Sequence, residues 1–235
     1  KIYRGEKAKG QICEYHVEVS EGMVVLDAIN LIQARHANDL AVRWNCKAGK
    51  CGSCSAEVNG KPRLMCMTRM DELPLDEPVQ IEPMRHFPHM RDLVSDVSRN
   101  YEINKLIKPL NPKPRESDGT YRMQQKDIER IQEFHKCIEC FLCQNVCHVL
   151  RDQGIQEFAG PRFLIRIASL VMHPLDKLNR LKELKNIFGI GYCNITKCCT
   201  EVCPEHIGIT DNGIIPLKER VAGDFYDDWP EYGEA

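Results

Sequence analysis

Residues 46–54, with the sequence CKAGKCGSC, determine the fold of this chain more than any other stretch. Their three cysteines have the spacing C-x4-C-x2-C, and Cys66 follows further along the chain. This spacing is that of a plant-type [2Fe–2S] cluster, in which four thiolates surround two irons. Gly49 and Gly52 let the backbone come close to the sulfides, so that its N–H groups can donate to sulfur. The loop therefore predicts a [2Fe–2S] centre held by Cys46, Cys51, Cys54 and Cys66.

A structural zinc site and a set of disulfides are the alternatives for these cysteines. Zinc sites usually contain two separated pairs of cysteines, which fits three cysteines in one loop less well. The chain has 235 residues and 13 cysteines, an odd number in a chain longer than a disulfide scaffold usually is. We therefore expect iron–sulfur ligands, with zinc and disulfides as the weaker alternatives.

A second cysteine motif occupies residues 137–147, CIECFLCQNVC. Its spacing, C-x2-C-x2-C-x3-C, is typical of bacterial ferredoxins, where the fourth cysteine ligates the other of two clusters. Residues 193–204, CNITKCCTEVCP, repeat this pattern, but Thr196 stands where the second cysteine would be. The crossover predicts a [4Fe–4S] cluster held by Cys137, Cys140, Cys143 and Cys203. The three ligands that remain, Cys147, Cys193 and Cys199, suit a [3Fe–4S] cluster.

Two cysteines lie outside these three ligand sets. Cys13 is expected to be an ordinary small thiol. Cys198 adjoins the predicted ligand Cys199 and could complete the third cluster as a second [4Fe–4S], an alternative that stays open here. The methionines around Cys66, at positions 65, 67 and 70, are expected to pack in a core.

Composition excludes several classes of protein. Lys and Arg number 32 against 34 Asp and Glu, a net charge of −2, which disfavours nucleic acid as a partner. Hydrophobic residues make up 43% of the chain, as in a folded domain. No stretch approaches the roughly 18 apolar residues of a transmembrane helix. The first residues, KIYR, contain no apolar core of a signal peptide.

Hydrophobic periodicity predicts an α+β protein of two domains. In residues 1–105 it indicates strands at 2–3, 15–19 and 78–83, a helix at 25–35 and a hairpin at 55–65 that turns at Asn59-Gly60. Residues 106–120 are rich in proline and predict a linker or extended strap. Residues 121–235 are predicted to be mainly helical, with helices at 127–134, 161–171, 178–188 and 213–221 and an acidic, aromatic tail at 224–229.

In the kind and order of its motifs the sequence resembles the iron–sulfur subunits of succinate dehydrogenase and fumarate reductase. The resemblance rests on residues 43–54, 137–143 and 193–204 and extends over nearly the whole chain. It implies a β-grasp plant-type [2Fe–2S] ferredoxin domain followed by a mainly helical two-cluster ferredoxin domain. It also implies an electron-transfer subunit, which passes electrons from flavin to [2Fe–2S], [4Fe–4S] and [3Fe–4S] clusters and then to quinone.

The resemblance also implies partners and a location. The partners are an FAD-containing flavoprotein subunit and membrane-anchor subunits, which would hold this chain on the cytoplasmic face of a bacterial inner membrane. The sequence contains no G-x-G-x-x-G fingerprint of a dinucleotide site and no cluster of Arg and His suited to succinate. We therefore expect no catalytic residue for succinate on this chain, which would act in the enzyme as a subunit.

The quinone site implied by the family matches this sequence only in part. His148 stands where many members have proline, Asp152 where ubiquinone-binding members commonly have Trp, and Asn194 where they often have His. His148, Asn194 and Thr196 are therefore candidates by position alone, and a structural role is the alternative for His148. These departures favour menaquinone over ubiquinone, or a divergent anchor.

Two other functions compete with this one. The chain could serve another flavoprotein, such as a soluble, thiol-dependent fumarate reductase. It could also be an interaction module that zinc stabilises, without redox chemistry. Iron and sulfide content would distinguish an electron-transfer subunit from the zinc-stabilised module. Copurification of anchor chains would distinguish a subunit of a membrane-bound enzyme from a subunit of a soluble fumarate reductase.

Overall fold

The computed structural model describes residues 1–7, 9–74 and 76–227. A mixed sheet dominates the first part of the chain. Its strands within the described residues are β1 (Ile2–Glu6), β2 (Lys9–Cys13), β3 (Ser55–Val58), β4 (Lys61–Leu64), β5 (Ile81–Glu82), β6 (His89–Arg91) and β7 (Val94–Ser95). The strand order is β4-β3-β5-β1-β6-β7, with β2 paired to β1; β1 and β5 are parallel, whereas the other pairs are antiparallel.

The partner of β1 differs from the prediction. Residues 15–19 form no strand, and β1 pairs instead with β2, in a register from Ile2 opposite Cys13 to Glu6 opposite Lys9. Most of β2 is exposed, so the backbone ladder holds it without a buried face. Tyr15 and Val17 do pack against the core, as the alternation of apolar and polar residues at 15–19 predicts. The segment that contains them lies outside the sheet.

Helix α1 (Val25–Arg35) has the predicted bounds and covers the sheet. Its buried face joins the core formed with strand residues such as Ala56 and Ile81. The first turn is fixed by tertiary bonds, because Val25 N–H donates to Thr68 O at 2.9 Å and Leu26 N–H to Met65 O at 3.1 Å. Those two acceptors flank Cys66, so the start of α1 holds the segment that presents this cysteine.

The predicted hairpin at residues 55–65 is confirmed as β3 and β4. Asn59 (φ 48°) and Gly60 (φ 73°) both have left-handed backbones, as a two-residue type I′ turn requires. The hairpin brings together the residues at its open end. Met65 N–H donates to Cys54 O at 3.1 Å, which sets Cys54 and Cys66 side by side.

Helices dominate the second part of the chain. They are α2 (Ser98–Lys105), α3 (Gln125–Gln132), α4 (Leu142–Val146), α5 (His148–Arg151), α6 (Pro161–Val171), α7 (Leu181–Asn186), α8 (Cys198–Glu201) and α9 (Ile215–Asp227), with a π-helical turn at Ile209–Ile214. Helix α6 has the predicted bounds, whereas α3, α7 and α9 are shifted by a few residues. Helix α9 includes the start of the predicted tail, and residues 228–229 of that tail lie outside the described residues. None of the helices in the described part of the chain has the length and apolar character that a membrane crossing needs.

The proline-rich residues 106–120 are here called the strap, and residues 108–113 contact the helical part. The buried Arg180 donates to Lys108 O at 2.7 Å and to Pro109 O at 2.9 Å, and Asp176 pairs with Arg180 at 2.8 Å. Asp176 also accepts Asn111 N–H at 3.1 Å. The segment is thus anchored along its first residues by one buried ion pair.

Candidate iron–sulfur centres

The loop at residues 46–54 supplies three of the four thiols predicted for the first centre. Ala48 N–H and Lys50 N–H donate to Cys46 Sγ at 3.4 and 3.3 Å, as expected of a loop built to hold thiolate. Burial opposes ionisation of Cys51, but hydrogen bonds from Ser53 and Cys46 lower its pKa to about 6. Burial alone dominates at Cys54, whose pKa is raised to about 12.

The outer side of this loop carries exposed apolar side chains. Met67 is 57% exposed, so its predicted role in core packing is wrong, whereas Met65 and Met70 are buried as predicted. The Met67 side chain covers the loop, since a Cβ added at Gly49 would lie 3.0 Å from its Sδ. Trp44 is also exposed, with Lys47 Nζ 4.6 Å from the centre of its ring. Two exposed apolar side chains, Met67 and Trp44, therefore lie at this loop.

The thiols predicted for the second centre line one cavity. They are Cys137, Cys140 and Cys143 from the first run and Cys203 from the second. Burial raises the pKa values of Cys137 and Cys143 and brings that of Cys140 to about 12. The thiols of Cys137, Cys140 and Cys143 are therefore protonated at neutral pH and must lose protons when a metal centre binds.

A second cavity contains the thiols predicted for the third centre, Cys147, Cys193 and Cys199, together with Cys198. Burial raises the pKa values of Cys147 and Cys199 to about 11. Cys199 Sγ also lies 3.4 Å from Thr210 Oγ1. Within the described part of the chain, no three His, Cys, Asp or Glu side chains converge as a single metal ion requires, and the thiols instead line these cavities.

The two cysteine runs share one backbone conformation. Glu139 (φ 55°) and Phe141 (φ 60°) are left-handed, and so are Ile195 (φ 62°) and Lys197 (φ 64°) at the corresponding places. The backbone hydrogen bonds repeat as well, from Cys137 to Phe134 O, Cys193 to Ile190 O, Cys147 to Gln144 O and Cys203 to Thr200 O. The sequence repeat is therefore also a structural repeat, in which Thr196 corresponds to Cys140.

The three candidate quinone residues form one hydrogen-bonded group. Asn194 Nδ2 lies 2.7 Å from His148 Nε2, and Thr196 Oγ1 lies 3.4 Å from His148 Nδ1. Asn194 and Thr196 are exposed, and His148 is half-buried. Thr196 Oγ1 also lies 3.4 Å from Cys198 Sγ, and Cys198 begins α8 where Leu142 begins α4.

Two basic residues beside the cavities were not found from the sequence. Lys218 Nζ donates to Cys193 O at 2.7 Å, which puts a positive charge next to a predicted ligand. Arg162 lines the cavity of the second centre and is 4% exposed. Neither residue belongs to a spacing motif, so no sequence signal marks it.

The first centre abuts the second. A Cβ added at Gly52 would lie 2.5 Å from Cys140 Cα, and Ser55 Oγ donates to Cys140 O at 2.9 Å. The fully buried Glu57 accepts Asn145 Nδ2 at 3.0 Å and pairs with Arg85 Nε at 2.8 Å. The loop of the first predicted centre therefore touches a predicted ligand of the second.

Comparison with known proteins agrees with this organisation. Residues 1–102 match the family described as "2Fe-2S iron-sulfur cluster binding domain", and residues 133–207 match "4Fe-4S dicluster domain". The predicted order, a [2Fe–2S] ferredoxin domain followed by a [4Fe–4S] ferredoxin domain within an α+β chain, is confirmed. Fold and site thus define a two-domain iron–sulfur protein of the ferredoxin type.

Individual relatives identify the family. The fumarate reductase iron-sulfur subunit of Mycobacterium tuberculosis is 32% identical over 88% of this chain and 84% of its own length. The succinate dehydrogenase iron-sulfur subunit of Bacillus subtilis is 30% identical over 84% and 81%. A chain of the Mycobacterium smegmatis Sdh1 complex in the apo form is 61% identical, with a TM-score of 0.93 and 97% of both chains covered. The chain therefore belongs to the family of succinate dehydrogenase and fumarate reductase iron–sulfur subunits.

Some relatives are much longer. An uncharacterized iron-sulfur protein of Methanococcus maripaludis is 30% identical, and the chain spans 40% of its length. A subunit of the fumarate reductase (CoM/CoB) of Methanothermobacter marburgensis is also 30% identical, and the chain spans 42% of it.

Proposed function

We propose that this chain is the electron-transfer subunit of a succinate dehydrogenase or fumarate reductase. It connects the FAD of a flavoprotein subunit with membrane quinone and has three iron–sulfur clusters as its redox groups. The observation that supports this proposal is the grouping of the predicted thiols into three sites that follow one another. Gly52 joins the first site to the second, and α4 joins the second to the third, since Cys143 lies in its first turn and Cys147 directly follows its last residue.

The proposed ligands are those of the three sites. Cys46, Cys51, Cys54 and Cys66 hold [2Fe–2S]; Cys137, Cys140, Cys143 and Cys203 hold [4Fe–4S]; Cys147, Cys193 and Cys199 hold [3Fe–4S]. When bound, these clusters supply one-electron redox chemistry. The chain supplies the thiolates, and two of its backbone N–H groups donate hydrogen bonds to the sulfur of Cys46. It also excludes water from the buried thiols. Because most buried thiols have raised pKa values, cluster insertion releases protons.

The third cluster is proposed as [3Fe–4S] because Thr196 corresponds to Cys140 in the repeat. The flanking residues, Ile195 and Lys197, have the backbone of Glu139 and Phe141, so the substitution leaves the conformation of the run unchanged. Only the thiol is missing. Cys198 stays the alternative fourth ligand, because it lines the same cavity.

The quinone is proposed to bind near His148, Asn194 and Thr196. Their hydrogen bonds to one another provide a donor and acceptor set beside the third cavity, of the kind that a quinone carbonyl needs. Menaquinone is favoured over ubiquinone by the departures at Asp152 and Asn194. Membrane-anchor subunits would complete the site and hold the chain on the cytoplasmic face of a bacterial inner membrane.

The domain division is also a proposal. Residues 1–105 form a β-grasp domain, residues 106–120 the strap, and residues 121–235 the two-cluster domain. Two buried cores support this division, one around α1 and the sheet and one around α6. The first core also includes Phe141 and Leu142 from the second cysteine run, so the domains share a packed boundary.

Metal analysis and EPR spectroscopy of the anaerobically purified complex test the proposal. We expect about nine irons per chain, counted from the three cluster types, and a three-iron signal in the oxidised state. A colourless protein with stoichiometric zinc would overturn the proposed function. Two four-iron signals on reduction, without a three-iron signal, would instead assign Cys198 or another group as the fourth ligand.

A second candidate is a subunit of a thiol-dependent fumarate reductase. The similarity to the Methanothermobacter marburgensis protein, whose name includes CoM and CoB, favours it, but the chain spans only 42% of that relative. Copurification decides between the two. Hydrophobic anchor chains and quinone-dependent activity support the first proposal, whereas a soluble complex that reduces fumarate with thiols supports the second.

A further inference from the structure

Arg162 is a buried cation at the cavity of the second centre. It is the second residue of α6, is 4% exposed, and lines the cavity together with Cys137, Cys140, Cys143 and Cys203. Its backbone N–H donates to Gln144 Oε1 at 3.3 Å, which fixes the start of α6 against α4. An arginine stays charged in a protein, so its position places a permanent positive charge there.

The guanidinium is held at two of its three nitrogens. Nη1 donates to Asn104 Oδ1 at 3.2 Å, and Nη2 donates to Glu139 Oε1. Nε is buried and has no acceptor among the described residues. A buried N–H group without a partner is unfavourable, so the remaining donor indicates an acceptor that belongs in the cavity.

Glu139 compensates the charge of Arg162 only in part. Its side chain is 48% exposed, so solvent screens the carboxylate, whereas the guanidinium is almost fully enclosed. A cavity lined by four thiolates is strongly negative when a cluster is bound. When a cluster is bound, its negative charge would therefore compensate this enclosed cation together with Glu139.

We infer that Arg162 donates a hydrogen bond from Nε to a sulfur of the [4Fe–4S] cluster and thereby raises the reduction potential of that cluster. Reduction adds one negative charge to the cluster, so a fixed donor and cation stabilise the reduced form more than the oxidised form. The inference rests on the proposed function, because it requires the cluster to be held by these four cysteines.

Redox titration of the intact complex, followed by EPR, measures this effect. In Arg162→Gln we expect the ratio of reduced to oxidised [4Fe–4S] cluster at a fixed potential to fall roughly tenfold, or about 59 mV for a one-electron couple. The other two clusters should titrate as before. Arg162→Lys keeps the charge but lacks Nε–H, so we expect a smaller fall. Arg166→Gln, an exposed arginine on the same helix, is the matched control and should change nothing.

A direct measurement needs no variant. Among the described residues that line this cavity, Arg162 is the one arginine. In a complex labelled with [¹⁵N]arginine, pulsed EPR of the reduced [4Fe–4S] cluster should therefore detect a ¹⁵N coupling. Absence of this coupling would overturn the inference, as would an unchanged potential in an Arg162→Gln protein with full iron and sulfide content. Absence of any [4Fe–4S] signal in the unmodified protein would instead contradict the proposed function.

Discussion

Residue 196 is the position at which the second cysteine run lacks a thiol that the first run has. It follows Cys193 as Cys140 follows Cys137, between neighbours with the same left-handed backbones. A cysteine at position 196 would therefore have the same flanking backbone conformation as Cys140. In the proposed ligand set, in which Cys198 is not a ligand, this side chain separates a three-ligand from a four-ligand site.

Thr196→Cys is therefore expected to convert the third cluster from three irons to four. EPR should lose the three-iron signal of the oxidised state and gain a second four-iron signal on reduction. Thr196→Ser, which keeps the hydroxyl, is the control and should retain the three-iron signal. A three-iron signal that persists in Thr196→Cys would contradict the assigned position of residue 196 in the repeat.

Cysteine spacing is local, and this explains why the predicted ligands could be grouped from sequence. The same runs set the left-handed residues that aim each thiol, and the hairpin turn at Asn59 and Gly60 follows from two adjacent residues. Arg162 and Lys218 could not be found in this way. Each reaches its cavity by tertiary packing, with contacts to residues such as Asn104 and Cys193 that lie far away in sequence.

At the scale of elements, the hairpin of β3 and β4 positions the first centre. It sets Cys54 beside Cys66, and its first residue, Ser55, donates to Cys140 O. Gly52 lies at the closest approach, where a side chain would meet backbone and Cβ atoms of Cys140 within 3 Å. The loop and the second cysteine run therefore pack at a distance that only glycine allows.

Gly52→Ala is expected to destabilise the chain by about 1–3 kcal/mol from overpacking, beyond the cost of its left-handed backbone. Gly60→Ala is the matched control, because its φ is similar (73° against 68°) but an added Cβ meets nothing within 4 Å. Urea unfolding of both variants measures the difference. Equal losses of stability would mean that the contact with Cys140 tolerates a side chain.

A buried ion pair binds the first residues of the strap. Asp176 and Arg180 are both 2% exposed, and together they bind backbone groups of Lys108, Pro109 and Asn111. Burial by itself disfavours the charged form of Asp176, but hydrogen bonds from Arg180 and from backbone N–H groups keep the pKa of Asp176 below its usual value. The charged form of Asp176 therefore stabilises the folded chain above pH about 4, and this stabilisation is lost as the pH falls through the lowered pKa of Asp176.

Asp176→Asn is expected to destabilise the chain at neutral pH by about 3–5 kcal/mol, because it leaves the buried Arg180 without its counter-charge. The difference from the native chain should shrink as the pH falls from about 4 through the lowered pKa of Asp176, where the carboxylate of the folded chain becomes protonated. Asp118→Asn, at the exposed pair with Arg122, is the control and should cost about 1 kcal/mol or less. A difference that does not change with pH would show that Asp176 acts without its charge.

At the scale of the whole molecule, the two parts meet through polar groups that are distant in sequence. Ser55 and Cys140 are 85 positions apart, and Glu57 and Asn145 are 88. Local patterns predicted α1 and α6 with their bounds, because each has its own stripe of apolar residues. They did not predict the partner of β1, since β2 has no buried face, nor this boundary between the parts.

Asn145 belongs to the second part and binds two groups of the first part. It lies between Cys143 and Cys147, donates to the buried Glu57 at 3.0 Å and accepts His86 N–H at 2.9 Å. Its position ties the sheet of the first centre to the helix that joins the second and third. Loss of its amide would leave the fully buried Glu57 with one donor fewer and His86 N–H without its acceptor.

Asn145→Ala is therefore expected to lower the free energy of unfolding by about 2–4 kcal/mol, since two buried polar groups lose a partner. It should also weaken the magnetic interaction between the reduced [2Fe–2S] and [4Fe–4S] clusters, measured by EPR, because one of the contacts that fix the two parts together is lost. Asn38 is exposed, and Asn38→Ala is the control. A variant that loses stability but keeps an unchanged magnetic interaction would mean that Gly52 and Ser55 alone hold the two centres at their distance.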